Sequence, residues 1–409
     1  MSIRKRVWRA KGNDGQPVMR EAWVVDYRDG AGERRHKSFR LKKDAENWST
    51  TALFEVKQGI HTPDSTSPTI AEAADEWLKE CERGDGDREP LERSTIRQYQ
   101  NHVDLHIKPY IGGKKLSKLT APGVKEFLGQ LRKDGRSPSM VRKVRASLAA
   151  IINAARDHGL VAQNVVLGSR KRRQSTRNVR KLELGVDIPS TNEIRTLVHA
   201  AKGRFRPFLI TAVFTGMRAS ELRGLPWSAV DFDAKVVHIR QRADEWGTIG
   251  SPKSKAGRRE IMMTPLVSNT LKEWKLACPR RGVVKDKDGN VTEPGELWLV
   301  FPNGIGKVET HANLWNRNFA PLQIEGGLSV DTGEVDKDDK PIIKAKYGFH
   351  ALRHFYASWL IDQRFQPKRI QETLGHSSIT MTFDLYGHLF EIDEEETNGL
   401  AQSEAALLA

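Results

Sequence analysis

Between positions 170 and 181 the chain carries seven cations in twelve residues, Arg170, Lys171, Arg172, Arg173, Arg177, Arg180 and Lys181, with no acid among them. Like charges at that density repel one another and resist packing into an apolar core. The chain therefore has to fold as separate bodies on either side of an extended basic segment, here 169–187. That segment is either an ordinary flexible linker or one whose natural partner is phosphate. The rest of the composition agrees with an anionic partner. Lys+Arg 67 against Asp+Glu 52 leaves +15, with a pI near 9.7, and nucleic acid is the commonest partner of such a surface. A length of 409 residues suits two or three domains, each able to bury its own core. Mean hydropathy is -0.57. No apolar run approaches the ~18 residues of a membrane span, and no secretory leader is visible at the start. Cys81 and Cys278 are far apart and belong to no C-x-x-C pair. A disulfide scaffold and a zinc ribbon are thereby excluded, and a soluble protein of a reducing compartment is expected.

Residues 1–62 read as a small α+β unit of three strands and a helix. Arg6–Arg9, Glu21–Tyr27 and Arg35–Leu41 are strand-like, and turn signals separate them at Asn13-Asp14-Gly15 and Asp29–Gly32. Ala45, Trp48, Ala52 and Val56 then recur at helical spacing. The sheet mixes Arg, Lys, Trp and Tyr, which suits either a solvated face or a face laid into a DNA groove. After a Pro/Ser/Thr linker, 69–168 reads as an all-α bundle. Thr69 with Glu72 forms a capping box. Ser94, Thr120 and Ser137 open further helices, the last two just ahead of Pro122 and Pro138. The helix from Pro138 turns Val141, Val144, Leu148 and Ile152 to one side and Arg142, Lys143 and Arg145 to the other. Those three cations are either a solvated face or a DNA-binding one. A mainly α domain with a small β-sheet follows at 188–390, opened by a second capping box, Ser190 with Glu193. Strands are expected near Val236–Arg240 and Arg259–Met263. The Gly-, Asp- and Lys-rich stretches 281–297 and 325–345 read as hairpin or loop insertions, and 391–409 as an acidic, then Ala/Leu-rich tail.

Five local signals in the last domain carry chemistry. Thr215-Gly216-Met217-Arg218 turns a buried run into a new helix, with Glu221 three residues on, placed to hold Arg218. Lys253-Ser254-Lys255 sits between two strand-like runs, as a hairpin turn would. His350 and Arg353 share a helix face in His350-Ala351-Leu352-Arg353-His354. Gly375 closes a helix just before His376, and Tyr386 follows ten residues later. His350 and His354 at i and i+4 invite a zinc reading, but the Glu of H-E-x-x-H is missing and no third ligand is indicated.

Each signal is ordinary alone. In this order, through the phrases TGMRASEL, HALRH, LGHSS and TFDLYGHL, 208–390 closely resembles the catalytic domain of tyrosine recombinases of the phage-integrase type. The segment STIRQYQNHVDLHIKPYIGGKKLSKLT resembles the core-DNA-binding domain of that family, and 1–62, less specifically, the arm-site-binding domain of lambda-like integrases. The insertions at 281–297 and 325–345 are not part of the family pattern.

The resemblance implies a site-specific recombinase of a phage or mobile element that cuts and rejoins DNA without metal, nucleotide or other cofactor. Tyr386 would form a 3′-phosphotyrosine. Arg218 and Arg353 would hold the non-bridging oxygens, since guanidinium donates bidentately and stays charged. Lys255, or Lys253 as the alternative, would protonate the leaving 5′-oxygen. His350 would assist proton transfer from Tyr386, His376 would donate to the phosphoryl oxygens, and Glu221 would support Arg218. Arg170, Lys171, Arg172 and Arg173 would meet the DNA backbone. The implied partners are double-stranded DNA at core and arm sites, three further copies of the chain around a Holliday junction, a DNA-bending host factor and an excision factor. The expected place is the nucleoid in the cytoplasm of a bacterial host. The competing readings are a chromosome-dimer resolvase, a type IB topoisomerase, a regulator on a dead recombinase fold and a metal nuclease.

Overall fold

The computed structural model describes residues 1–11, 16–29, 32–57, 64, 67–84, 89–161, 163–167, 181–280, 284–285, 291–293 and 298–390. The turn at Asn13–Gly15, the cations Arg170, Lys171, Arg172, Arg173, Arg177 and Arg180, and the tail 391–409 lie outside the described residues. By packing, the chain divides into two compact units, Met1–Ser175 and Thr176–Ala409.

The first unit opens with an antiparallel meander of β1 (Ser2–Lys11), β2 (Pro17–Arg28) and β3 (Arg34–Phe39). Ser2 lies opposite Asp26 in the first pair, and Trp23 opposite Phe39 in the second. Helix α1 (Lys42–Lys57) covers one face. Its Ala45 and Ala52 are buried, and Trp48 meets Tyr27 edge-on with centroids 5.1 Å apart. The helical part holds α2 (Ile70–Arg83), α3 (Arg93–His102), α4 (Lys108–Ile111), α5 (Ala121–Lys133) and α6 (Pro138–Asp157). Thr69 and Glu72 cap α2 reciprocally. Thr120 and Ser137 cap α5 and α6. Helix α3 is capped at Glu92, two residues before the expected Ser94, and runs into α4 through a π turn at Val103–Ile107. Trp77, Val103, Ile107, Phe127, Leu131 and Leu148 fill the core of this bundle. Across α6, Val141, Val144 and Leu148 are buried while Arg142 and Lys143 are exposed. Arg145 departs from that face: its guanidinium is half-buried and donates to the Val166 carbonyl at 2.9 Å.

The second unit begins with α7 (Thr191–Ala200), capped by Ser190 and Glu193, then α8 (Phe205–Thr215) and α9 (Ala219–Arg223). Strands β4 (Val230–Asp231), β5 (Val236–Ile239), β6 (Arg242–Ala243), β7 (Ile249–Gly250) and β8 (Arg259–Met262) follow. They form a small sheet in the order β4-β5-β8 and a separate β6-β7 hairpin. The hairpin turn is therefore at Asp244, whose Oδ1 accepts from the backbone of Trp246 and Thr248 at 2.9 and 2.8 Å. Lys253 and Lys255 lie after it, on the return to β8, so the expected hairpin turn at the lysines is displaced. Next come α10 (Pro265–Ala277), the pair β9 (Val284–Lys285) and β10 (Val291–Glu293), α11 (His311–Leu314) and α12 (Ala320–Glu325). The insertion at 325–345 is a second hairpin, β11 (Ser329–Val335) with β12 (Pro341–Ala345). Helices α13 (Phe349–Asp362), α14 (Pro367–Leu374) and α15 (Ile379–Tyr386) close the unit. Helix α8 is buried nearly all round, and Leu209, Ile210 and Val213 centre the main core. No described helix is long and apolar enough to cross a membrane.

Candidate active site

Two left-handed turns set the geometry. Helix α8 ends at Gly216 (φ 59°), where a Cβ would overlap the Tyr356 ring, and α14 ends at Gly375 (φ 66°), where a Cβ would lie 2.8 Å from the Ala256 carbonyl. Glycine alone adopts such turns at little cost in so little space. Arg353, on α13, joins them: Nη1 donates to the Gly216 carbonyl at 2.8 Å and Nη2 to that of Leu374. Arg218, just ahead of α9, donates from Nη2 to the Gly375 carbonyl at 3.4 Å.

Between the arginines sits Glu221, 2% exposed. It accepts from Arg218 Nη1 at 2.9 Å and from the Arg218 backbone N–H at 2.9 Å. It also accepts both Nη groups of Arg259, at 3.0 and 2.9 Å. Burial alone would push this carboxyl up, but the hydrogen bonds and charge of Arg259, with the charge of Arg218, hold it at about 2. Arg259 continues to the Thr373 carbonyl at 2.6 Å, so β8, α9 and the end of α14 are tied at one point. Three guanidinium groups against one carboxylate leave a positive surplus, the electrostatic requirement for gripping a phosphate.

The surplus faces a cleft of about 720 Å³ lined by Arg218, Ser220, His350, Arg353, Phe349 and Trp315. Arg218 is 37% exposed at its side chain, whereas Arg353 is 2% exposed. Burial, then the charge of Arg218, lowers Arg353 to about 9. His350 stands at the cleft, its pKa lowered by desolvation and by Arg353 and Arg218. His376 is buried and lowered to about 3 by the same causes. Its Nδ1 lies 3.0 Å from Thr382 Oγ1, and its ring is parallel to that of Tyr386 with centroids 6.4 Å apart. Tyr386 is buried at 1% exposure, its hydroxyl raised to about 12 by desolvation. That hydroxyl is 2.7 Å from Nδ1 of His354, not from His350.

Arg218, Glu221, His350, Arg353, His376 and Tyr386 thus come together from four separate stretches of chain. Lys255 is exposed at the start of a helical turn, Lys255–Gly257, whose Ala256 carbonyl faces Gly375. Lys253 is exposed beside it. The sequence reading did not single out Arg259, His354 or Thr382. Strand alternation was the available signal for Arg259, since β8 is buried at Arg259 and Ile261 and exposed between them. His354 was weighed only as a zinc ligand.

The sequence profile of the phage integrase family matches residues 190–391, which hold all of these side chains. The chain belongs to that family and is a tyrosine recombinase. A second profile, the N-terminal SAM-like domain of phage integrases, matches residues 69–131. A tyrosine recombinase XerC-like protein of Caldanaerobacter subterraneus subsp. tengcongensis is 26% identical over 382 residues, 91% of this chain and 92% of that one. Among solved structures, the Tn1549 transposon integrase in complex with transposon right end DNA has a TM-score of 0.58 at 19% identity, covering 83% of this chain and 99% of that one. A lambda integrase tetramer bound to a Holliday junction has a TM-score of 0.53 at 18% identity, covering 91% and 96%. Both likenesses show a shared fold.

Proposed function

We propose that this chain integrates and excises a phage or other mobile element, exchanging DNA strands through a 3′-phosphotyrosine and a Holliday junction. The observation that carries the reading is the placement of one phenol, Tyr386, among Arg353, His376 and His354, with Arg218 and His350 on the same cleft. A phenol yields an ester that stores the broken bond for religation. Arg218 and Arg353 hold the non-bridging oxygens as negative charge builds, and His376 donates to the same oxygens. Glu221 acts through Arg218 and Arg259 rather than on DNA. His350 supports proton transfer from Tyr386. Residues 1–62 take arm sites, 69–168 the core site, and 169–187 the backbone between, with Arg142, Lys143 and, to a lesser degree, Arg145 on the DNA side of α6. Four copies assemble on two duplexes, with a DNA-bending host factor and an excision factor, at the bacterial nucleoid. The tail 391–409 docks on a neighbouring copy.

Nicked suicide duplexes tiling the DNA beside the gene, incubated with protein in EDTA, test the reaction class. A covalent protein–DNA band on a denaturing gel is expected. Free cut ends that require added magnesium, with no such band, would overturn the reading in favour of a metal nuclease, and relaxation of any supercoiled plasmid would favour a topoisomerase.

The same assay decides between the lysines. Lys255→Ala is expected to slow cleavage by about 100-fold or more, the range for loss of a general acid, and Lys253→Ala far less. A 5′-bridging sulfur in the scissile linkage needs no proton to leave, so it should restore the Lys255→Ala rate. Failure of that rescue would move the acid elsewhere.

A further inference from the structure

The Tyr386 hydroxyl makes one hydrogen bond among the described residues, 2.7 Å to Nδ1 of His354. With His354 as its Nε2–H tautomer, Nδ1 accepts, and the one proton of the phenol points along this bond. The alternatives are turned away. His376 presents its ring face to Tyr386, and its Nδ1 is engaged by Thr382. His350 meets His354 edge to face, centroids 4.7 Å apart, and makes no bond to the phenol. At 1% exposure the hydroxyl has no route for its proton to bulk water, so the proton has to leave through a group already in contact.

We propose that His354 is the proton acceptor for Tyr386, a catalytic residue of strand cleavage beyond those of the assigned set. This rests on the reading of Tyr386 as nucleophile. In the step, a lone pair of Tyr386 Oη forms the bond to phosphorus while its proton passes to His354 Nδ1. The bond from phosphorus to the 5′-oxygen breaks, its electron pair stays on that oxygen, and Lys255 supplies the proton there. Religation runs the same transfers backwards, with His354 returning the proton to the phenol.

The surroundings of His354 leave it neutral but, in the resting state, a weak base, since the best proton acceptor titrates near the operating pH. Burial, then the charges of His350 and Arg353, lower it to about 4, while Asp187 opposes them. The imidazole is therefore neutral and able to accept at neutral pH. A bound phosphate offsets the positive charge of Arg353, one of the causes that depress His354. Substrate thus strengthens the base as it arrives.

Single-turnover adduct formation on a nicked suicide duplex tests this with full-length wild type, His354→Ala and His354→Gln. Duplex binding by anisotropy and thermal melting confirm that each variant is folded. His354→Ala is expected to form adduct about 100-fold more slowly. Its rate should climb by about tenfold per pH unit from pH 6 to 9, as prior ionisation of the phenol replaces the lost base, and wild type should lack that slope. Added imidazole should restore part of the rate in His354→Ala but not in His354→Gln, which fills the space. An unchanged or faster rate would overturn the proposal and make the bond a resting latch. A slower rate with the wild-type pH profile and no response to imidazole would overturn it in favour of packing alone. Adduct formation by Tyr386→Phe would instead overturn the underlying nucleophile assignment, an outcome separate from both.

Discussion

Phenylalanine at position 386 is expected to leave duplex binding intact and to remove covalent attachment to DNA altogether. The substitution deletes one oxygen and keeps the ring. That ring packs with Tyr356, Leu360, Ile370 and Leu374 and lies parallel to His376, contacts that phenyl preserves. The loss to folding is the hydrogen bond to His354, on the order of 1 kcal/mol, which a small fall in melting temperature would register. The loss to chemistry is expected to be complete, because the phenol oxygen is the one that forms the ester, and the hydroxyl nearest in sequence, Thr382, is fully buried and bonded to His376. Anisotropy on a labelled duplex and denaturing gels of the same mixture separate binding from attachment. Attachment at wild-type level in Tyr386→Phe would assign the nucleophile to another residue.

Glu221→Gln is expected to produce the largest loss of stability of any single change near the cleft. The carboxylate neutralises Arg259 and Arg218 inside the protein, and removing one partner of a buried pair costs roughly 3–5 kcal/mol because the remaining charge stays desolvated. A similar size follows from titration: a carboxyl held at about 2 instead of the ordinary 4.5 corresponds to about 3 kcal/mol at 1.36 kcal/mol per unit. The sign is fixed by the direction of the shift. The folded-state value is depressed, so the stabilisation is fully present above about 4.5 and is lost as pH falls toward 2. Urea unfolding of wild type and Glu221→Gln at neutral pH should show the full gap, and the gap should narrow across that acid window. A pH-independent difference would mean that Glu221 contributes shape rather than charge. Adduct formation should fall as well, since Arg218 and Arg259 lose the anchor that aims them.

Legibility from sequence followed the range of the physics. The capping boxes at Thr69 and Ser190 act within one turn, so their residues announce them. The same holds for the αL glycine that ends α14, and for the shared face of His350 and Arg353 on α13. Helix α3 missed its expected cap by two residues because Glu92 starts it without a side-chain capping bond, leaving no signature to read. The lysine turn was misplaced because strand pairing is not local. β5 pairs with β8 across the β6-β7 hairpin, and two-residue strands carry too little alternation to be seen. Arg145 read as one more cation on a solvated face until the Val166 carbonyl, on a distant stretch of chain, claimed it.

The sequence by itself determined the separation of the chain by its basic run, the helical and strand-bearing segments, the family, and the order of the side chains that carry chemistry, because each of these is written in local spacing and charge. Only the tertiary structure decided how those side chains are shared. Arg259 pairs with Glu221 across 38 positions, Arg353 binds a carbonyl 137 positions away, and His354 meets Tyr386 across 32. Hydrogen bonds and ion pairs depend on distances of about 3 Å, and chain separation carries no record of which of many arginines, histidines and carbonyls the folded core brings within that reach.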